Sequence, residues 1–216
     1  IKLAWNKSYQ NANFYDFLVT AKTLIAAAGP KGVIVYSLET PNSPVRVKRV
    51  KSLEATSSLA LNGKLLAATD DDLGTVFVSF PTWDAPEVLG TVPAVSQALD
   101  CAFLSSDPTK LLVAEGSGGF RVVDASDPNF PTTLSLTPAP APVVSVSGFY
   151  PRPYLSCSEQ GLYFVDLANP SAPQTDQVMQ GQARRGPLAV KGNYAIVSSD
   201  SYLESWDFSD PAHPSK

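Results

Sequence analysis

Short apolar runs of four to six residues recur along the chain, and residues that favour turns separate them. The runs are rich in Val, Leu and Tyr, and the separators are Gly, Pro, Asn and Asp. Such runs predict β-strands, because branched and aromatic side chains pack well on a pleated surface. No window carries a convincing apolar stripe at helical spacing. The pattern therefore predicts an all-β protein.

The strand pattern repeats with a period of about 42 residues. A stretch with a leading Gly, an apolar run, an Asp and two prolines is clearest at 119–131 and 161–173, and its frame recurs at 32–44, 74–86 and 202–214. A strand, a turn and a second strand precede each copy, and an extended stretch follows most copies. Repeated four-stranded units favour a β-propeller, because radial repetition leaves only short, protected sheet edges.

The ends of the chain suggest how the ring closes. The last unit stops without an outer strand, whereas residues 1–5 form a spare extended stretch. We therefore expect a single propeller domain over 1–216 with five blades, in which residues 1–5 complete the last blade. The alternative is that the chain is a stable piece of a six- to eight-bladed ring. The expected units cover residues 14–50, 55–92, 97–137, 142–178 and 185–216.

At the repeated stretches the sequence resembles the LVIVD-repeat family of β-propellers. The resemblance is strongest at 119–131, 161–173 and 206–214, and weakest in the second unit, where Ser79 replaces the Asp and Trp83 replaces the first Pro. It implies a general scaffold of bacterial and archaeal surface or secreted proteins with no shared catalytic site. The expected localisation is extracellular or at the cell surface, with the periplasm as the alternative. The start at Ile1 suggests a mature or excised form.

Composition and charge exclude several classes of function. The protein has 216 residues, 44% of them hydrophobic and 17% charged, which indicates a folded chain. The net charge of −4 offers no basic footprint for nucleic acid. No segment reads as a membrane span, since the longest uncharged run, 128–151, holds six prolines. No zinc or phosphate-loop spacing is present, so we expect no metal and no cofactor.

The residues needed for nucleophilic catalysis are scarce. The single histidine, His213, lies in a turn between two prolines, which argues against a Ser-His-Asp triad. The two thiols, Cys101 and Cys157, are expected to be buried and free, with a disulfide as the alternative. We therefore expect that the protein is not an enzyme.

Two carboxylates occupy equivalent places in the inner strands of their units. Asp16 and Asp100 each lie three residues before an apolar residue, and their counterparts are expected to be Ser58, Val143 and Pro187. The pair could hold a cation or a polar ligand near the ring axis. The structural alternative, which we favour, is that each carboxylate bonds the backbone of a neighbouring blade, since buried polar groups need partners.

The hairpin tips of one rim provide a second candidate site. Loops on a rigid scaffold suit recognition, and this rim combines cations with carboxylates. We expect an acidic tip around Asp70 to be a solvated turn rather than a calcium site. On the opposite rim, Trp83 is either an exposed anchor or packed under its own turn. The candidate partner-binding residues are Arg184, Arg185, Asp70, Asp71, Glu115, Glu159 and Trp83.

The repeated aspartates have a structural explanation. Asp124, Asp166 and Asp207 end a strand just before a turn, where a short carboxylate can accept a backbone N–H two residues later. The function that the sequence favours is therefore a non-enzymatic scaffold that binds another protein. The alternatives are a lectin-like propeller that binds glycans and a propeller hydrolase that uses Asp16 and Asp100.

Overall fold

The structure of the protein is a computed structural model, and it describes residues 13–148, 153–179, 188–191, 193–198, 203–210 and 215. Every regular element within these residues is a β-strand, as the sequence predicts. The described part of the chain contains no helix that could cross a membrane. The chain divides into two compact units, residues 1–93 and 94–216.

The first unit contains two antiparallel sheets of four strands, and the strands of each are adjacent in chain order. The first sheet consists of β1 (Asp16–Val19), β2 (Thr23–Ala27), β3 (Val33–Ser37) and β4 (Val45–Val50). The second consists of β5 (Thr56–Asn62), β6 (Leu65–Asp70), β7 (Gly74–Thr82) and β8 (Ala85–Val92). Ile25 and Val33 of the first sheet share one apolar cluster with Leu59, Leu66 and Phe80 of the second. The two sheets therefore pack face to face.

The second unit contains three further antiparallel sheets. The third sheet consists of β9 (Asp100–Phe103), β10 (Lys110–Ala114), β11 (Phe120–Asp124) and β12 (Thr132–Thr137). The fourth consists of β13 (Val143–Ser147), β14 (Tyr154–Cys157), β15 (Gly161–Asp166) and β16 (Gln174–Met179). The fifth consists of β17 (Leu188–Lys191), β18 (Tyr194–Ser198) and β19 (Leu203–Asp207). Residues 1–5, expected to complete the fifth sheet, lie outside the described residues.

The apolar core of the second unit repeats the arrangement found in the first. Leu112 and Phe120 of the third sheet share a cluster with Val146 and Leu155 of the fourth. Four sheets of four antiparallel strands, packed in this way, are consistent with the blades of a propeller.

The leading Gly of the repeat is needed where the second and third strands of a sheet meet. Gly32 and Gly119 adopt φ values of 69° and 88°, which L side chains rarely adopt. A Cβ atom at either position would lie 2.2 Å from a backbone oxygen, that of Leu53 or of Thr137. The repeat therefore has Gly at these positions for both conformation and space.

The repeated aspartates play the predicted turn-forming role. The Oδ1 atoms of Asp124, Asp166 and Asp207 accept backbone N–H groups two residues later, at distances of 2.8–2.9 Å. In the first sheet Ser37 Oγ replaces the carboxylate and accepts the N–H of Glu39 at 3.3 Å. The turn-forming role is thus confirmed for all three aspartates.

Candidate functional site

Asp16 of β1 links the first sheet to the second. Its Oδ2 atom accepts the backbone N–H of Leu59 at 2.8 Å and the hydroxyl of Ser58 at 3.4 Å. Its Oδ1 atom accepts the N–H of Phe17 at 2.7 Å. Both oxygens therefore have donors from the protein, and one oxygen bonds across to the neighbouring inner strand.

Asp100 of β9 makes the corresponding contacts in the second unit. Its Oδ2 atom accepts the hydroxyl of Ser145 at 2.6 Å and the backbone N–H of Val146 at 3.0 Å, and its Oδ1 atom accepts the N–H of Cys101 at 2.9 Å. Ser145 is the counterpart of Ser58 in these contacts, so the expected alignment of Val143 with Ser58 was wrong by two residues. Both carboxylates make the backbone bonds of the structural alternative, and a ligand role for them stays a prediction.

The acidic tip is a turn, as expected, but the carboxylate of Asp70 within it is buried rather than solvated. Oδ1 accepts the N–H groups of Asp72 and Leu73 at 3.1 and 3.2 Å, and Oδ2 accepts that of Ala55 at 3.0 Å. The side chain closes the turn and ties it to the segment before β5. Asp71 and Asp72 are exposed, so they carry the accessible charge of the tip.

Glu115 lies at the corresponding position of the third sheet and is also buried. Its carboxylate forms an ion pair with the guanidinium of Arg121, with Nη2 to Oε2 at 3.1 Å. Oε2 also accepts the backbone N–H of Val95 at 2.9 Å, and Arg121 donates to Thr133 Oγ1 at 2.8 Å. Each charge therefore has several partners, as burial of charged groups requires. These contacts assign Glu115 a structural role.

The remaining tip residues divide into two groups. Glu159 is exposed and has a positive φ of 66° in the turn between β14 and β15. Arg184 and Arg185 lie outside the described residues, so their placement relative to the tips stays a prediction. Asp71, Asp72 and Glu159 are thus the exposed acids of the tips within the described part of the chain.

Trp83 packs under its own turn, which is the second of the two expectations. Its ring lies 5.3 Å from that of Phe80, and it packs against the apolar core of the first unit. The ammonium of Lys64, in the short turn between β5 and β6, lies 3.5 Å from the centroid of the Trp83 ring. This is a cation–π contact, so Lys64 already occupies one face of the indole.

The two thiols are free and buried, as expected. Burial raises the pKa of Cys157 to about 12, so its thiol stays protonated at neutral pH. A protonated, buried thiol is a poor nucleophile and a poor metal ligand. Within the described residues, no group of three or more His, Cys, Asp or Glu side chains could hold a metal ion.

Two features near the hairpin tips were not predicted from the sequence. Arg121 lies in an apolar strand, and its only sequence signal is a charge within a run of Phe and Val six residues after Glu115. Leu73 of the acidic hairpin tip is an exposed apolar side chain, and so is Val95, which lies in the loop between β8 and β9 and donates its N–H to Glu115. The tips therefore combine accessible acids with apolar contact area.

The LVIVD repeat family model matches residues 140–177 and 180–216. No curated protein matches the sequence. Because these two matches cover consecutive units, they identify the repeat in the second half of the chain.

Several solved structures share the fold. A functionally unknown protein from Desulfotomaculum acetoxidans superposes with a TM-score of 0.79 at 12% identity, covering 98% of this chain and 71% of that one. A structure of U3-55K gives a TM-score of 0.75 at 14% identity, covering 96% and 64%. A mitotic checkpoint complex structure gives 0.72 at 15% identity, covering 97% and 65%. The chain thus spans slightly less than two thirds of the last two, and the likeness concerns the fold alone.

Proposed function

Because residues 140–177 and 180–216 match the LVIVD repeat, we propose that the protein is a non-enzymatic module that binds another protein outside the cytoplasm. The observation that carries the proposal is how the acidic residues are used. The carboxylates of Asp16, Asp70, Asp100 and Glu115 accept backbone N–H groups, whereas neighbouring tip residues are exposed. Because these four carboxylates bond the backbone, we assign partner recognition to the exposed side chains beside them.

The proposed docking site is the acidic tip, which we define as Asp71, Asp72 and Leu73. These residues are exposed, while Asp70 fixes the turn from below through its bonds to two of their backbone N–H groups. A rigid tip loses little conformational entropy on binding. Two carboxylates beside a leucine fit a partner that presents basic side chains around an apolar contact.

The fold also supports a role in protein binding. A mitotic checkpoint complex, which is an assembly of proteins, contains a chain with the same fold. Propellers display many loops from a rigid set of sheets, and such loops are a common location for binding residues. The extracytoplasmic location follows from the family resemblance and is part of the proposal.

Cross-linking mass spectrometry in the native source material tests this function. We expect Lys31, in the hairpin tip of the first sheet, to cross-link to one recurrent protein. The variant Asp71→Lys/Leu73→Ser should lose these cross-links, whereas Asp127→Lys/Phe130→Ser, at exposed positions in the turn between β11 and β12, should keep them. Loss of the cross-links only in Asp127→Lys/Phe130→Ser would reject docking at the acidic tip. The absence of any recurrent cross-linked protein would reject the scaffold function.

The alternative functions predict other results in the same material. A lectin would show recurrent glycans and no recurrent protein at the tips. A hydrolase would lose activity on a glycoside when either Asp16 or Asp100 is replaced by Asn, with folding retained.

The two hypotheses on blade number differ in what contacts the first and fifth sheets. A closed five-blade ring places residues 1–5 beside β19. A larger ring places further blades against both sheets.

A further inference from the structure

The last strand of the first sheet, β4, carries a concentration of positive charge. Four of the sixteen lysine and arginine residues lie between positions 46 and 51, and no acidic residue lies between Glu39 and Glu54. The chain as a whole has a net charge of −4. The four cationic residues are Arg46, Lys48, Arg49 and Lys51. β4 is therefore a basic strand in an acidic protein.

The strands in the same position of the other sheets lack this charge. β8, β12 and β16 are the last strands of the second, third and fourth sheets. β8 and β16 each contain one acidic residue, and β12 contains no charged residue. Charged side chains on an edge strand oppose pairing between copies, and that need applies to all four strands alike. The charge of β4 therefore requires a more specific explanation.

The side chains of β4 are accessible to a partner. Arg46 and Lys48 are exposed, and neither belongs to any of the ion pairs found among the described residues. Between and beside them, Val45 is 63% exposed and Val47 is 36% exposed. The strand thus presents positive charge together with apolar contact area.

The cations of β4 project from both faces of the sheet. Arg46 and Arg49 pair with residues of β3 that share the apolar cluster of Tyr36. Lys48 pairs with Val35, which belongs to the other apolar cluster. Residues directly opposite each other in a strand pair lie on one face of the sheet. A strand that matches these charges must therefore carry acids on both of its faces, which means at neighbouring positions.

The backbone of β4 offers a second means of recognition. Among the described strands, β4 is hydrogen-bonded to β3 alone. The free edge of such a strand presents N–H and C=O groups with which a further strand can pair. When a peptide adds to a sheet in this way, the backbone hydrogen bonds provide affinity and the alternate side chains provide specificity. The edge and the cations of β4 therefore suit the same kind of partner.

We propose that β4 is a docking site for an extended acidic segment of another protein, which adds to the first sheet as a fifth strand. Consecutive Asp or Glu residues of the segment meet Arg46 and Arg49 on one face and Lys48 on the other, since opposite charges across a strand pair are stabilising. An apolar residue beside these acids contacts Val45. This surface is separate from the acidic tip and takes a partner of opposite charge, so the inference does not depend on the function proposed there.

The first experiment titrates the full chain into a fluorescently labelled peptide, Thr-Val-Glu-Glu-Glu-Val-Thr, and follows the anisotropy. We expect a dissociation constant of about 100 µM or lower. Arg46→Gln/Lys48→Gln should raise it at least about fivefold, because two charge pairs are lost. The matched control, Lys22→Gln/Lys64→Gln, removes the same charge from two exposed turns and should bind like the wild type. Absence of binding at about 1 mM, or equal losses in the two variants, would overturn the proposal.

The second experiment separates strand addition from attraction between charges alone. Two further peptides are N-methylated at alternate residues, one in each of the two possible registers. Only one edge of an added strand pairs with β4, so one of these peptides should bind at least about tenfold more weakly than the other. With the unmodified peptide bound, hydrogen–deuterium exchange should slow at least about threefold in β4 and stay unchanged in β8. Equal affinity of the two methylated peptides, or unchanged exchange in β4, would overturn the proposal.

Discussion

The first and third sheets show how one framework accepts two kinds of interior. In both sheets a residue before the hairpin donates its N–H to the repeated Gly, from Ala28 to Gly32 at 2.8 Å and from Glu115 to Gly119 at 2.9 Å. Two residues after that Gly, the first sheet has Ile34 and the third has Arg121. The first sheet buries the apolar pair Ala28 and Ile34, and the third sheet buries the ion pair Glu115 and Arg121 at the equivalent positions. The backbone frame is thus maintained while the chemistry of its interior changes.

The contacts that link the first sheet to the second, and the third sheet to the fourth, also share a backbone frame and differ in side chains. We call these two sets of contacts the first and the second joint. Both use an inner-strand aspartate, and both pair a hairpin Gly with the next inner strand, Gly29 with Thr56 and Gly116 with Val143. Asp16 accepts the N–H of Leu59, and the residue two positions later in the first joint is Leu61. Asp100 accepts the N–H of Val146, and the residue two positions later in the second joint is Gly148. Leu61 packs on the core, whereas the carbonyl of Gly148 accepts the N–H and hydroxyl of Ser105 at 2.7 and 2.9 Å.

Breaking the buried ion pair should have the largest effect. Glu115→Ala leaves the Arg121 charge buried without its carboxylate, and we expect a loss of about 4 kcal/mol in the free energy of unfolding. Urea unfolding followed by tryptophan fluorescence measures it. The double variant Glu115→Ala/Arg121→Ile, which installs the first sheet's pair, should lie within about 1 kcal/mol of the wild type, because no charge is left buried. Equal losses in the single and double variants would contradict this explanation.

The second joint should tolerate no side chain at Gly148. A Cβ atom there would lie 1.9 Å from the Phe103 carbonyl oxygen, so Gly148→Ala should lower the free energy of unfolding by about 3 kcal/mol. The matched change in the first joint, Leu61→Ala, removes a partly buried side chain and should lower it by about 1 kcal/mol. Thermal unfolding of both variants gives the comparison. A smaller loss for Gly148→Ala would mean that the strands of the second joint do not approach so closely.

Removing the inner-strand carboxylates should lower the free energy of unfolding more at the second joint than at the first. The Ser145 hydroxyl lies 2.6 Å from Asp100, whereas the Ser58 hydroxyl lies 3.4 Å from Asp16. We expect Asp100→Ala to lower the free energy of unfolding by about 2 kcal/mol and Asp16→Ala by about 1 kcal/mol. Urea denaturation at pH 7 measures both variants. The reverse order would show that the hydroxyl contact does not set the strength of the joint.

The smallest effect concerns the turns and depends on pH. The hydrogen bonds from Ser126 lower the pKa of Asp124, so its stabilising contribution is complete at neutral pH and is lost as the pH falls through 4 and below. Asp124→Ser installs the first sheet's residue and should cost about 0.5 kcal/mol at pH 7 and less at pH 3. Chemical unfolding at the two pH values measures it. A cost that is larger at pH 3 would contradict the assignment.

Local chemistry was predictable from the sequence, and long-range register was not. The turn role of Asp124, Asp166 and Asp207 needs only residues two positions apart, so spacing was sufficient. The alignment of Val143 was wrong because it counted three residues back from an apolar residue, as at Val19 and Phe103, whereas the residue three positions after Ser145 is Gly148. The burial of Asp70 and Glu115 depends on N–H groups 15 to 20 residues away along the chain, which composition and spacing do not reveal.

The most direct test of the central claim is the dissociation constant of the cross-linked partner, once purified, for the full chain and for Asp71→Lys/Leu73→Ser. Calorimetric titration at 0.15 M salt gives this value, and Asp127→Lys/Phe130→Ser serves as the control. We predict a dissociation constant at least about tenfold higher for the tip variant, with Tm unchanged, and a wild-type value for the control. Equal affinity for all three proteins would contradict docking at the acidic tip.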